Sequence, residues 1–208
     1  MVEPTSDRAV NLGTSAELLD LLLGGLDLAE AVVFSVSADR RQARTPCPEL
    51  DVEQLVAHVV AGMRWFAGLP TGRQPGPPGS DDPALTGLPL GPAFGEAARA
   101  VRRSWTATEV DGRFAMPWGD SSGQEMAAFM AVEVIGHAWD VAVATGQPQY
   151  PVGELAEAAL VVAHSLDEQT LRSPGMMADP VVVDSAAPAF DRFAGFLGRD
   201  PRWRPLPG

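Results

Sequence analysis

The chain has 208 residues, enough for one sizeable hydrophobic core and close to the length of a single large domain. Its 15 Lys and Arg stand against 27 Asp and Glu, and a formal net charge of −12 speaks against phosphate backbones and anionic lipid, so neither nucleic acid nor a membrane surface is expected as a partner. With 46% hydrophobic and 20% charged residues, the composition is that of a folded protein and excludes a disordered one.

Cys47 is the single cysteine, which excludes an internal disulfide, and the opening Met-Val-Glu-Pro-Thr-Ser-Asp lacks the basic flank of a secretory leader. The expected compartment is therefore the reducing cytoplasm. The two most apolar windows, residues 18 to 36 and 126 to 145, are interrupted by Asp20, Asp27 and Glu30 and by Glu133 and Asp140. No bilayer-spanning segment is expected.

In chain order, Thr14 and Glu17 have the spacing of a capping box, and a leucine-rich helix is predicted from there to about Val36, weakened midway by Gly24 and Gly25. The loop Thr45-Pro-Cys-Pro-Glu-Leu50 leads to Asp51, which with Gln54 caps a second helix running to about Ala67. Pro70 to Pro92 is dense in Pro, Gly and Asp and reads as a long exposed loop. A third helix follows at Ala93 to Thr106, and Arg113 to Gly119 looks extended, as in a hairpin arm. Ser122 and Glu125 open a fourth helix that ends near Ala144 at Thr145-Gly146. A fifth helix is predicted over Val152 to Leu171, a short strand over Pro180 to Val183, and a last helix over Pro188 to Leu197. Strand-like alternation is scarce, so the class is all-α, most simply a four-helix bundle with a C-terminal addition.

Three histidines occur in the chain, and two have telling positions. At about 100° per residue, His137 falls about 40° from Glu133 and Asp140 about 20° to its other side, on a face shared with Met126, Phe129, Met130, Val141 and Ala144. An ionised carboxylate among such neighbours costs several kcal/mol (~several) unless a cation compensates it. His58, at the margin of an apolar face made by Leu55, Val56, Val59, Met63 and Phe66, supplies a third inward group from another helix. Two imidazoles and a carboxylate suit a first-row transition metal, and three protein ligands leave a coordination position open. The spacing equally admits a plain intrahelical Glu133–His137 pair worth ~0.2–0.5 kcal/mol, with His58 a core histidine.

Asp140 reads as a fourth ligand, as an acceptor for an imidazole N–H, or as half of a helix-end salt bridge. Trp65 and Trp139 read as core aromatics, His164 as a surface or packing histidine, and Arg40-Arg41 and Arg102-Arg103 as solvated pairs. Cys47 lies between two prolines with Arg44 its nearest basic neighbour along the chain, and reads as a structural, inert thiol. No Gly-rich phosphate loop, paired-cysteine zinc pattern or His-Glu-x-x-His motif is present.

The run Thr45-Pro-Cys-Pro-Glu-Leu-Asp-Val-Glu-Gln-Leu-Val-Ala-His58, then Glu133-Val-Ile-Gly-His-Ala-Trp-Asp140 and the late Gly195-Phe-Leu-Gly-Arg-Asp-Pro201, resembles the metal-binding domain of mycothiol-dependent maleylpyruvate isomerases in the DinB-like superfamily. The likeness covers about residues 14 to 203. It implies a DinB-like four-helix bundle as one domain over residues 1–208, the bundle at about 14–171 and a C-terminal extension at 172–208. It also implies His58, Glu133 and His137 as ligands of a divalent metal, zinc as first choice and nickel as an alternative. The isomerases carry a further C-terminal α/β domain, where this chain has only about 40 residues after its fifth helix. By analogy, the expected function is metal-dependent transfer or isomerisation with a small thiol cofactor such as mycothiol and a small electrophilic substrate. The alternative is a non-catalytic interaction or sensor protein, with the bundle as a homodimer module, whose metal site is structural or vestigial. The loop from Pro70 to Pro92 is the expected lid or thiol-binding edge.

Overall fold

The computed structural model describes residues 13–72, 87, 89–116, 119–147, 153–166, 171–172 and 177–205. Helix α1 spans Ser15–Phe34 behind the Thr14/Glu17 capping box, and α2 spans Val52–Gly68 behind the Asp51/Gln54 box. Helix α3, Leu90–Ser104, is followed by the four-residue α4, Ala107–Val110, and by an antiparallel hairpin of β1, Arg113–Met116, and β2, Gly119–Ser122. Ser122 and Glu125 then cap α5, Gly123–Thr145, which stops at Gly146 in the left-handed conformation (φ 69°). Helix α6 spans Gly153–Ser165 and α7 spans Ala189–Phe196. Among the described residues the protein is all-α apart from one small hairpin, consistent with a DinB-like fold.

Helix α5 packs on α1 and α2, and α3 packs on the same two helices from the other side, so the four close a ring around the core. On its outer side α5 is covered by α6 and α7, whose Ala156, Leu160, Phe190 and Phe193, with Leu197 just past α7, join the same apolar cluster as Leu22, Leu26, Val56 and Ile135. A helix enclosed on nearly every side can be apolar all round. This corrects the expectation that no segment is long and apolar enough to cross a bilayer: α5 is, by length and composition, but 89% of its most apolar stretch is buried in the fold.

Several boundaries differ from those predicted. Helix α3 starts at Leu90, ahead of Pro92, because the first turn of a helix has no intrahelical use for a proline's missing N–H. Residues 73–86 and 88 of the predicted loop lie outside the described residues. Helix α6 ends at Ser165, short of Leu171. Pro180–Val183 is not a strand: it runs beside α7, and among the described residues its backbone makes one bond, Val181 N–H to the Gly195 carbonyl at 2.9 Å, with no second strand to extend a ladder. Arg41 and Arg102 are not simply solvated, since Arg41 pairs with Glu53 at 2.8 Å and Arg102 ties α3 to Asp27 and Glu30 of α1.

Helix α1 runs unbroken through Gly24 and Gly25. A Cβ on Gly25 would lie 2.8 Å from Ile135 Cγ1, so the glycine that weakens the helix locally is what lets α5 approach it.

Candidate metal centre

His58 lies in the middle of α2, and Glu133 and His137 lie one turn apart on α5. Because α2 packs against α5, the two imidazoles meet edge to face, with ring centroids 5.4 Å apart and planes at 88°. One ligand atom from each of His58, Glu133 and His137 falls within 4.8 Å of the other two. The three side chains singled out in the sequence are thus brought together by helix packing.

Both nitrogens of His137 face a carboxylate. Nε2 is 2.8 Å from Glu133 Oε2, and Nδ1 is 3.0 Å from Asp140 Oδ2. Burial alone would lower the His137 pKa, but the Glu133 charge and the hydrogen bonds to Asp140, Cys47 and Glu133 overcome it and hold the value well above normal. The carboxylates respond in kind. Burial would raise Glu133, yet the neighbouring His137 charge and hydrogen bond, with His58 and Arg199, bring it down to about 2. Asp140 also drops to about 2, its burial outweighed by Arg199 and then by His137. His58 behaves oppositely: burial, then the His137 charge, lower its pKa against the pull of Glu133, so it presents a neutral ring.

Asp140 has no exposed surface, and its compensating cation is Arg199, just beyond α7. The guanidinium forks over the carboxylate, Nη2 to Oδ2 at 2.9 Å and Nε to Oδ1 at 3.3 Å, while Nη1 donates to the Leu197 carbonyl at 2.8 Å. The same Nη2 donates to Cys47 Sγ at 3.3 Å, and the Cys47 thiol donates to Asp140 Oδ2 at 3.3 Å. Cys47 is therefore not remote from basic groups: the one that matters comes from 152 positions along the chain. Its loop is held by the buried Thr45, whose hydroxyl has its one proton shared between the Cys47 and Leu50 carbonyls and accepts the Cys47 N–H. A turn tied to a side chain in this way is what the sequence Thr-Pro-Cys-Pro favours.

The donor set fits a divalent ion. An ionised Asp140 can only accept, so Nδ1 of His137 carries a proton toward it, and Nε2, which donates to Glu133 in the metal-free protein, is the nitrogen that a metal would take in place of that proton. Of the three roles open to Asp140 in the sequence, the geometry combines two: it accepts the imidazole N–H and forms a buried salt bridge. A second group, Cys47, His137 and Asp140, also lies within 4.8 Å, but Arg199 already occupies two of its three ligand atoms.

The sequence reading missed Arg199. The signal available was Asp140 itself, a carboxylate on a core face that needed a cation, and the late Gly195–Pro201 segment that carries the arginine. Trp139 is buried and Trp65 packs partly buried on the core, as expected. His164 is exposed with its ring 4.3 Å from that of Phe196.

An all-α framework presenting two histidines and a glutamate from facing helices defines a class of helical proteins with a metal-type site. Residues 25–142, which include all three side chains, match the family described as the mycothiol maleylpyruvate isomerase N-terminal domain, and the chain belongs to that family. Two Mycobacterium tuberculosis proteins described as uncharacterized, from strains CDC 1551 / Oshkosh and ATCC 25618 / H37Rv, are each 32% identical to it over 181 residues, 85% of this chain and 94% of theirs. No solved structure matches the chain.

Proposed function

We propose that His58, Glu133 and His137 hold a divalent metal ion, with zinc the first choice, and that the protein uses it to activate a small thiol of the mycothiol class toward a small electrophile. The observation that carries the reading is the division of labour at His137: Nδ1 is committed to the buried Asp140, while Nε2 faces Glu133 and the neutral His58. Family membership supports the same chemistry.

When bound, the ion would supply Lewis acidity that favours the thiolate form of a thiol at neutral pH. The protein's part is to hold it. Glu133 contributes the one negative charge of the set, His58 a neutral ring, and Asp140 the proton acceptor that fixes the His137 tautomer. Three protein ligands leave a position open to an exogenous group. Glu133 is then spent as a ligand, so proton transfer falls to the thiol, solvent and substrate.

The test is elemental analysis of protein purified without an affinity tag, as wild type and as His137→Ala. Close to one equivalent of metal in the wild type and almost none in the variant is the expected result. An empty wild type that stays empty after zinc is added overturns the reading and leaves a helical interaction protein. Given a loaded site, metal-dependent consumption of thiol in the presence of small electrophiles tests the catalytic half, and Glu133→Ala abolishes it.

A further inference from the structure

Among the described residues, two three-residue groups have ligand atoms close enough to share a metal ion, and both use His137. One offers nitrogen and oxygen from His58, Glu133 and His137. The other offers sulfur as well, from Cys47 with His137 and Asp140. By donor chemistry alone the second should compete, because a thiolate is a stronger ligand than a carboxylate for zinc and for most softer divalent ions. What separates the groups is a single side chain. Arg199 Nη2 lies 2.9 Å from Asp140 Oδ2 and 3.3 Å from Cys47 Sγ, so the guanidinium covers the carboxylate and the thiol together.

We propose that Arg199 determines the ligand specificity of the metal centre: it excludes cations from the Cys47–Asp140 side of His137 and so confines metal to the Nε2 side, making this a site of two nitrogens and one carboxylate. The inference rests on the metal reading of His58, Glu133 and His137 and deepens it.

Three features make Arg199 suited to the task. It is anchored from behind as well, with Nη1 on the Leu197 carbonyl at 2.8 Å. It is almost buried, 11% exposed at the side chain, so little water screens its repulsion of an incoming cation. Its planar fork spans both oxygens of Asp140 and the sulfur at once, which the single ammonium of a lysine does not do.

Arg199 is thus a positioning residue, and it acts through what it blocks. Without it, Asp140 and Cys47 face His137 Nδ1 as an uncovered acceptor set, and sulfur enters the coordination sphere.

Cobalt(II) reports the ligands directly, because sulfur ligation adds an intense near-ultraviolet thiolate-to-cobalt band that nitrogen and oxygen ligands do not produce. The experiment loads the full chain with cobalt as wild type, Cys47→Ser, Arg199→Gln and Arg199→Lys, and the Arg199→Gln/Cys47→Ser double variant. The proposal expects wild type and Cys47→Ser to bind about one equivalent with superimposable spectra and no thiolate band. Arg199→Gln gains the band, Arg199→Lys gains it in part, and the double variant loses it. A thiolate band in the wild type overturns the proposal while leaving metal binding intact, as does an Arg199 variant that folds and keeps the wild-type spectrum. If Arg199→Gln does not fold, Arg199→Lys decides, since a lysine ammonium cannot cover both the carboxylate and the thiol. Absence of cobalt binding in the wild type overturns the metal reading itself, and this inference with it.

Discussion

Asp140 is a carboxylate with no exposed surface, and its worth to the protein can be read from what its loss leaves behind. Asp140→Asn removes the charge that pairs Arg199 and weakens the hold on His137 Nδ1. Breaking one side of a buried ion pair costs about 3–5 kcal/mol, and losing the partner of a metal-ligating histidine weakens metal binding about 10–100-fold. Chemical denaturation and competition against a zinc chelator measure the two effects separately. The pH dependence of the metal-free protein follows from the same groups. Glu133 and Asp140 titrate at about 2 when folded, against ordinary values of 4.5 and 3.8. Their stabilisation is therefore complete above about pH 4.5 and is lost as pH falls through that window toward 2. His137 has the opposite sign: its folded pKa is raised, so its contribution is complete below 6.5 and declines as pH rises through the folded value. Urea midpoints across pH should fall at both ends, and the alkaline decline should vanish in His137→Ala.

At the level of elements, capping chemistry sets where helices begin and glycines set how closely they meet. The boxes Thr14/Glu17, Asp51/Gln54 and Ser122/Glu125 are legible because a periodic apolar run follows each. Thr106/Glu109 has the same spacing but opens a helix of only four residues, too short to show any period, and the sequence reading passed over it. Two glycines make opposite predictions. At Gly123, the first residue of α5, a Cβ would sit 2.0 Å from the Glu109 carbonyl oxygen and 2.7 Å from that of Val110, backbone atoms that cannot swing aside. Gly123→Ala should cost about 3 kcal/mol or more by forcing α4 away from α5. At Gly62, one turn beyond His58 on α2, nothing lies within 4 Å of a Cβ, and Gly62→Ala should stabilise by up to about 1 kcal/mol through helix propensity. Thermal melts of the two variants, run side by side, check both the sign and the asymmetry.

For the whole molecule, the site joins three distant stretches of chain: α2 and the Cys47 loop before it, α5, and the residues just past α7. Ending the chain after Pro188 removes Phe190, Phe193 and Leu197 from the core together with Arg199. Calorimetry should show that chain unfolding at a lower temperature and with less cooperativity, because the outer face of α5 is uncovered. Intact protein should gain thermal stability on zinc addition, by about 2.7 kcal/mol when free metal is a hundredfold above the dissociation constant, and His137→Ala should gain almost none. The sequence by itself determined the all-α class, most helix starts, and the inward direction of His58, Glu133 and His137, because caps and helical periodicity are local and the cost of burying a carboxylate marks a face without any fold being known. Only the tertiary structure decided that α2 and α5 face each other, that Gly25 marks a close approach, and that Cys47 and Arg199 meet at Asp140. These are contacts between residues up to 152 positions apart, and nothing in the spacing of a single segment encodes them: packing of the outer helix onto α5 brings the guanidinium to the buried Asp140 carboxylate.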